Sequence, residues 1–371
     1  MRAGELIKYL EEWAPPGAAW EKDNIGLLVG SKRAEIKKIF LCLELNQRTL
    51  TSALKNNCNF IFTHHPLIFK PLKNLNFTND TKRKLLKDLI QNDIVLYSAH
   101  TNLDFTRDGV SFELAKRLKL KNIRFLIPEE ANQYKLTVFV PEKDTEKVAN
   151  AMFSAGAGVI GNYSECSFSS SGTGTFRGNS MSNPKVGKKE NFEKVKENRL
   201  EVLVNSWKLE EVINALLSAH PYEEPAFDIY VLKNRNRNYG TGAIGELSTP
   251  MKKEEFLKFL SHSINSRNIR YCEGKKGKIK TVAVCGGSCS DKYKNAISMG
   301  ADAFVTADVG YHTFEEAQGK ILLVDAGHYE TEVHSIDAVE RKIKEFLSER
   351  KEKIDVIKYK GNTNPVKFLK I

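Results

Sequence analysis

The stretch "CNFIFTHHPLIF" at residues 58–69 is a short apolar run that ends in two adjacent histidines and a proline. Its aromatic and β-branched content reads as a buried strand. Pro66 cannot donate to a strand ladder and restricts the residue before it, so the strand stops where His64 and His65 stand. A chain leaving a buried strand ordinarily turns on glycine or serine. Two imidazoles at that point call for a chemical reason.

The neighbouring segments give the pair its setting. "KKIFLCLELN" (37–46) and "IVLYSAH" (94–100) read as strands, while "QRTLTSALKNN" (47–57) and "TKRKLLKDLIQND" (81–93) carry apolar residues at helical spacing. Strand, helix, strand, helix, strand implies a parallel sheet with crossover helices. After about residue 128 the texture changes. "YKLTVFVPEKDTEKVANAMFSAGAG" (134–158), a serine- and glycine-rich hairpin or loop (164–191) and "NRLEVLVNSWKLEEVINALLSAHPYEEPAFDIYVLKN" (198–234) follow. Together they read β-α-β, loop, β-α-β, the ferredoxin-like pattern. "NRNRNYGTGAIG" (234–245) reads as a linker, and α/β texture then returns in "IKTVAVCGGS" (279–288), "ADAFVTADVG" (301–310), "KILLVDAG" (320–327) and the long helix of 331–350. The expected fold is α/β. Residues 1–128 and 238–371 form one discontinuous domain, and 132–234 an inserted α+β domain.

Bulk composition narrows the function classes. The chain has 371 residues, 41% hydrophobic and 28% charged, which is ordinary globular composition. No apolar run is long enough to span a bilayer, and the N-terminal stretch reads as an amphipathic helix ending before Pro15, not a signal peptide. A cytoplasmic protein without a membrane partner is expected. The six cysteines are scattered and form no CxxC, so small buried thiols are expected in place of a thiolate zinc site. The net charge of +11 permits attraction to nucleotides or nucleic acid, but the lysines are spread along the chain. The runs at 275–280 and 348–360 read as solvated loops and helix faces.

The eight histidines are the informative residues. His64 and His65 end one strand, His100 another, His328 a third and His312 a fourth, and ligands of open α/β sheets gather at such carboxyl ends. Asp104 follows His100, and Glu332 follows His328, each four residues on. On a helix, residues at that spacing share one face. In extended backbone His64 and His65 would point in opposite directions, which suits two ions bridged by a carboxylate better than one. Imidazole with carboxylate suits Zn, Fe, Mn, Co or Ni better than Mg or Ca. His312, His334 and His262 are expected to be turn or surface residues. The glycines of "SSSGTGTFRG" (169–178) could offer N–H groups to an anion, although a mobile hairpin explains them as well.

These motifs resemble a known family. "DNIGLLVG" (23–30), "FIFTHHPLIF" (60–69), "SAHTNLD" (98–104), "FVTADVGYH" (304–312) and "VDAGHYETE" (324–332) resemble the GTP cyclohydrolase 1 type 2 homologues, the NIF-three-like dinuclear metal-centre proteins. "GTGTFRG", "SNPKVG", "ENRLEVLV" and "HPYEEPAFDIY" resemble the PII/CutA-like insert of the longer bacterial members. The resemblance implies a homohexameric toroid with two divalent metal ions per subunit. The implied ligands are His64, His65, Asp104, His328 and Glu332, with His100 as a further ligand or a supporting group. The family name implies attack of a metal-activated water on C8 of guanine, with formate release and a pterin triphosphate product. A metal-dependent hydrolase acting on a nucleotide or another phosphorylated compound is the leading expectation. A non-catalytic metal-handling or regulatory protein and a DNA-binding toroid are the alternatives. Glu44, Ala307 and Cys289 depart from the usual family pattern.

Overall fold

The run that ends in the histidine pair forms the strand Phe60–Thr63, buried along its whole length. In the computed structural model, which describes residues 1–78 and 80–369, this strand is the centre of a five-stranded sheet. The order is Gly26–Val29, Val95–Ser98, Phe60–Thr63, Lys38–Cys42, Asp355–Lys358. Phe60–Thr63 pairs in parallel with both neighbours, as the alternation of strands and helices requires. Side chains alternate across it. Phe60 and Phe62 face one core with Leu41 and Tyr97, while Ile61 faces the other with Phe40 and Leu96. The crossover helices Gln47–Lys55 and Thr81–Gln91 cover that second face through Leu50, Leu85 and Leu89. Asn46 caps the first of them by accepting from the amides of Arg48 and Thr49.

The lysine-rich run at 348–360 is more than a solvated face. Asp355–Lys358 pairs in parallel with Lys38–Cys42 and carries the chain's C-terminal part into the first sheet. Val356 packs on one core of that sheet and Ile357 on the other. The alternation D-V-I-K hides a strand because charged residues flank a very short apolar core, as suits a sheet edge.

A second, six-stranded sheet has the order Arg270–Tyr271, Leu322–Asp325, Ala303–Thr306, Ile279–Val284, Arg235–Met251, Lys121–Glu130. Its three central strands, Ile279–Val284, Ala303–Thr306 and Leu322–Asp325, run parallel. Here the structure corrects the reading of 234–245 as a linker: those residues lie largely in the long strand Arg235–Met251. The glycines are there for close approach, not flexibility. A Cβ on Gly245 would stand 2.7 Å from the Lys121 carbonyl oxygen, and one on Gly242, itself at φ +64°, would stand 3.0 Å from that of Val284.

Contacts divide the chain into two compact units, Met1–Ile127 with Tyr239–Ile371, and Pro128–Asn238. The smaller unit has a four-stranded antiparallel sheet in the order Ser167–Arg177, Phe192–Asn205, Gln133–Pro141, Phe227–Leu232. Helices Thr145–Ser154 and Leu209–Ala219 cover one of its faces through Val148, Met152, Val212 and Leu216. Ser167–Arg177 and Phe192–Asn205 pair along the serine- and glycine-rich stretch, and the strand order is that of a ferredoxin-like fold. Among the described residues no helix is long and apolar enough to cross a membrane.

The crowding at Gly245 is testable. Gly245→Val should destabilise the larger unit by about 1–3 kcal/mol, the usual penalty for overpacking. Thermal and denaturant unfolding should register it. An unchanged midpoint would mean that the segment is the flexible linker its composition suggests.

Candidate metal centre

The histidine pair leaves its strand in a tight bend. The amides of His64 and His65 both donate to the Leu43 carbonyl, at 3.0 and 2.9 Å. The backbone there is therefore not extended, and the expected opposition of the two rings does not occur. Their centroids lie 5.0 Å apart and both rings enter one cluster. His100, just past Val95–Ser98, brings its ring to 5.2 Å from His64 and 5.7 Å from His65. His328 opens the short helix His328–Glu332 after Leu322–Asp325, with its ring 5.6 Å from that of His65. The i,i+4 spacing has the expected effect, with His328 Nε2 lying 3.1 Å from Glu332 Oε1.

Each of three imidazoles is oriented through Nδ1. His64 Nδ1 donates to the Ala99 carbonyl at 2.8 Å, which leaves Nε2 with its lone pair. His100 Nδ1 lies 3.0 Å from Asp23, whose carboxylate also accepts from the Thr101 amide and hydroxyl at 3.1 and 2.5 Å. His328 Nδ1 lies 2.6 Å from Asp308 Oδ2. This is the arrangement of metal-binding histidines, whose second nitrogen is held by a carboxylate or carbonyl. His65 differs, with Nδ1 3.6 Å from Glu44 and Nε2 3.0 Å from Glu332 Oε2.

Among the described residues, two groups can hold a metal ion: His64, His65 and His100, and His65, His328 and Glu332. Within each, the ligand atoms lie inside 4.8 Å of one another, and His65 belongs to both. Asp104 adds Oδ1 at 3.6 Å from His64 Nε2. All five residues expected as ligands, and His100, therefore come together. The test of fit lies in the unsatisfied atoms. His64 Nε2, Asp104 Oδ1 and Glu44 Oε2 are buried without a hydrogen-bond partner. Native interiors seldom leave such atoms unpaired, and a divalent cation would satisfy several of them together.

Protonation follows the same logic. Burial pushes His64 down to about 3, so it is neutral, the form that binds metal. Burial, reinforced by Glu332, raises Asp104 to about 7. Burial also opposes charge on His65, yet Glu332 and Glu44 outweigh it and raise the ring to about 10. Glu332 raises His328 to about 9 against the effect of burial. Without a cation, imidazolium protons offset the buried carboxylates.

Several supporting residues were not anticipated as such. Asp23 and Asp308 sit inside recognisable motifs, but only the fold reveals that they hold His100 and His328. Glu44, noted only as a departure from pattern, faces His65. Gly287, in "CGGSC", has φ +67°, and a Cβ there would stand 2.2 Å from Glu332 Oε1. His312 is exposed, and His262 bonds to the Lys258 carbonyl on the surface. His334 starts the helix Ser335–Glu349 and joins neither metal group. The six cysteines are free, and Cys42, Cys58, Cys272 and Cys285 are buried.

The chain is similar to known proteins along nearly its whole length. The profile of the Duf34/NIF3 (NGG1p interacting factor 3) family matches residues 1–365. The "GTP cyclohydrolase 1 type 2 homolog" of Halalkalibacterium halodurans is 36% identical over 366 residues, covering 98% of this chain and 98% of its own length. The protein of the same name in Bacillus subtilis is 34% identical, with the same coverage of both chains. Among solved structures, a Bacillus cereus protein related to NIF3 is 35% identical with TM-score 0.83, covering 100% of this chain and 99% of its own. Staphylococcus aureus SA1388 is 28% identical with TM-score 0.79 and the same coverage.

Two substitutions test the cluster. Glu332→Ala should leave the fold intact and sharply lower bound metal in elemental analysis, because it removes a carboxylate common to three imidazoles. Asp308→Asn keeps the left-handed backbone tolerable but removes the charge behind His328, and should weaken metal affinity about 10–100-fold. Unchanged metal content in both would contradict the assignment.

Proposed function

The chain belongs to the Duf34/NIF3 family, and from that premise we propose that it is a metal-dependent hydrolase acting on a nucleotide or similar phosphorylated compound. In this reading two divalent ions are held by His64, His65, Asp104, His328 and Glu332, with His100 completing the first group. The observation that carries it is His65, shared between two donor groups beside a buried carboxylate that reaches three imidazoles. The donor set favours Zn, Fe, Mn, Co or Ni. Bound ions of this kind would polarise a phosphoryl or ring substituent and lower the pKa of water.

The chain's own residues supply position and access. The Ala99 carbonyl, Asp23 and Asp308 hold three imidazoles in fixed orientation. His64 and Glu332 form the closed inner side, 0% and 4% exposed, whereas His65 and His328 are 29% and 39% exposed. A substrate therefore approaches over His65 and His328. Phe69, half exposed and 6.3 Å from the His100 ring, flanks that approach. The relatives' name makes GTP the first compound to try. A homohexameric toroid is part of the proposal, and light scattering should give a mass six times that of the chain.

The experiment is turnover by metal-loaded protein. With Mn, Fe or Zn the chain should release formate from GTP, and Glu332→Ala should not. Retained metal with no release from GTP and no hydrolysis across a panel of nucleotides would support a metal-handling role instead. The charge of +11 would serve a nucleic-acid partner. Salt-dependent retention of labelled single-stranded DNA, without hydrolysis, would favour that reading.

A further inference from the structure

The smaller unit holds a cavity of about 610 Å³ that the metal chemistry does not use. That volume is within the range of small-molecule sites. It lies on the sheet face opposite the helices. By register Ser170 stands beside Arg199 and Gly172 beside Glu197, and these alternate with Leu200 and Val202, which point into the core. The cavity is built by specific bonds. The Tyr222 hydroxyl donates to Glu197 Oε1 at 2.9 Å, and the Asn183 amide donates to Glu223 Oε1 at 2.8 Å. These tie the hairpin tip and the 222–226 loop around the strand Ser167–Arg177.

Its floor is bare by design of the sequence. A Cβ on Gly174 would stand 2.0 Å from Glu197 Oε2, so the missing side chain makes room for that carboxylate. A Cβ on Gly172 would meet nothing closer than 4.0 Å and would project into the open cavity. Phe139, Phe176 and Tyr222 line the space, with the Phe176 and Tyr222 rings 6.4 Å apart. Arg177, Lys185 and Arg199 bring positive charge, set against Glu197, Glu223 and Glu224, of which Glu197 and Glu223 already accept from the Tyr222 hydroxyl and the Asn183 backbone amide. Arg199 spends one nitrogen on Glu201 at 3.0 Å, and its other donors remain for a ligand. A flat floor, aromatic walls, and cationic side chains interspersed with carboxylates suit a planar heteroaromatic ring with N–H donors, joined to an anionic group.

We propose that this cavity binds a nucleoside monophosphate or a chemically equivalent aromatic anion. The ring lies over Gly172 against the aromatic walls and donates to Glu197, while the anion meets Arg199 and Lys185. The test is calorimetric titration of the full chain in EDTA, which keeps phosphate from being drawn to the metal centre. AMP and GMP are the probes, with ribose 5-phosphate as the control that lacks the ring. At least one nucleotide should bind saturably, with ribose 5-phosphate weaker by at least about tenfold. Gly172→Val, which fills the floor with a residue that strands favour, and Arg199→Ala should each weaken binding by at least about tenfold. Metal content should not change in either. No binding of AMP or GMP at millimolar concentration would overturn the proposal, as would equal binding of ribose 5-phosphate or unaltered affinity in both variants.

Discussion

A carboxylate buried among imidazoles, that of Glu332, governs the larger unit. One oxygen faces His64 at 3.9 Å and His328 at 3.1 Å, and the other faces His65 at 3.0 Å. Stripping water from a carboxylate costs several kcal/mol unless positive charge replaces it. The surroundings meet that demand in a consistent way. Burial works against ionisation of Glu332, yet His328 and His65 hold its pKa well below the usual range. Gly287 leaves the volume that the carboxylate fills, and His328 and His64 are braced from behind by Asp308 and the Ala99 carbonyl. A cluster so charged and so short of hydrogen bonds is a poor way to stabilise a core. It is a suitable way to hold cations.

The topology explains how distant parts of the chain meet there. Both sheets of the larger unit have parallel centres, and each sends functional residues from its strands' carboxyl ends. His64 and His100 follow strands of the first sheet, while Asp308 and His328 follow strands of the second. The helix Ser335–Glu349 then links the two. It follows the second sheet in the chain but buries Ile336, Val339 and Ile343 in the core of the first, beside Phe60 and Phe62. The turn His328–Glu332, immediately before that helix, is thereby brought to the histidine pair. Asp355–Lys358 completes the first sheet at its edge, so the last strand also fixes this closure.

Much of this was legible in the sequence because the signals were local. Buried strands show as short apolar runs, and the i,i+4 pair of His328 and Glu332 needs only one helical turn. What was not legible depended on backbone path or on partners far along the chain. The rings of His64 and His65 converge because two successive amides share the Leu43 carbonyl, which alternation rules for extended chain do not foresee. Asp23 supports His100 from 77 residues away, and nothing near either residue announces it. The glycines of 240–245 look like a flexible joint by composition, yet they mark where strands press together. Asp355–Lys358 was masked by the charges on either side of two apolar residues.

Imidazoles and carboxylates from distant parts of the chain converge on Glu332 in an arrangement suited to one metal centre. Anomalous diffraction from crystals of metal-loaded protein, recorded at the absorption edge of the bound element, tests it most directly. Anomalous density should appear within bonding distance of His328 and Glu332 and of His64 and His100, with His65 lying between. Density elsewhere, or none at these residues while metal is present in the crystal, would contradict it.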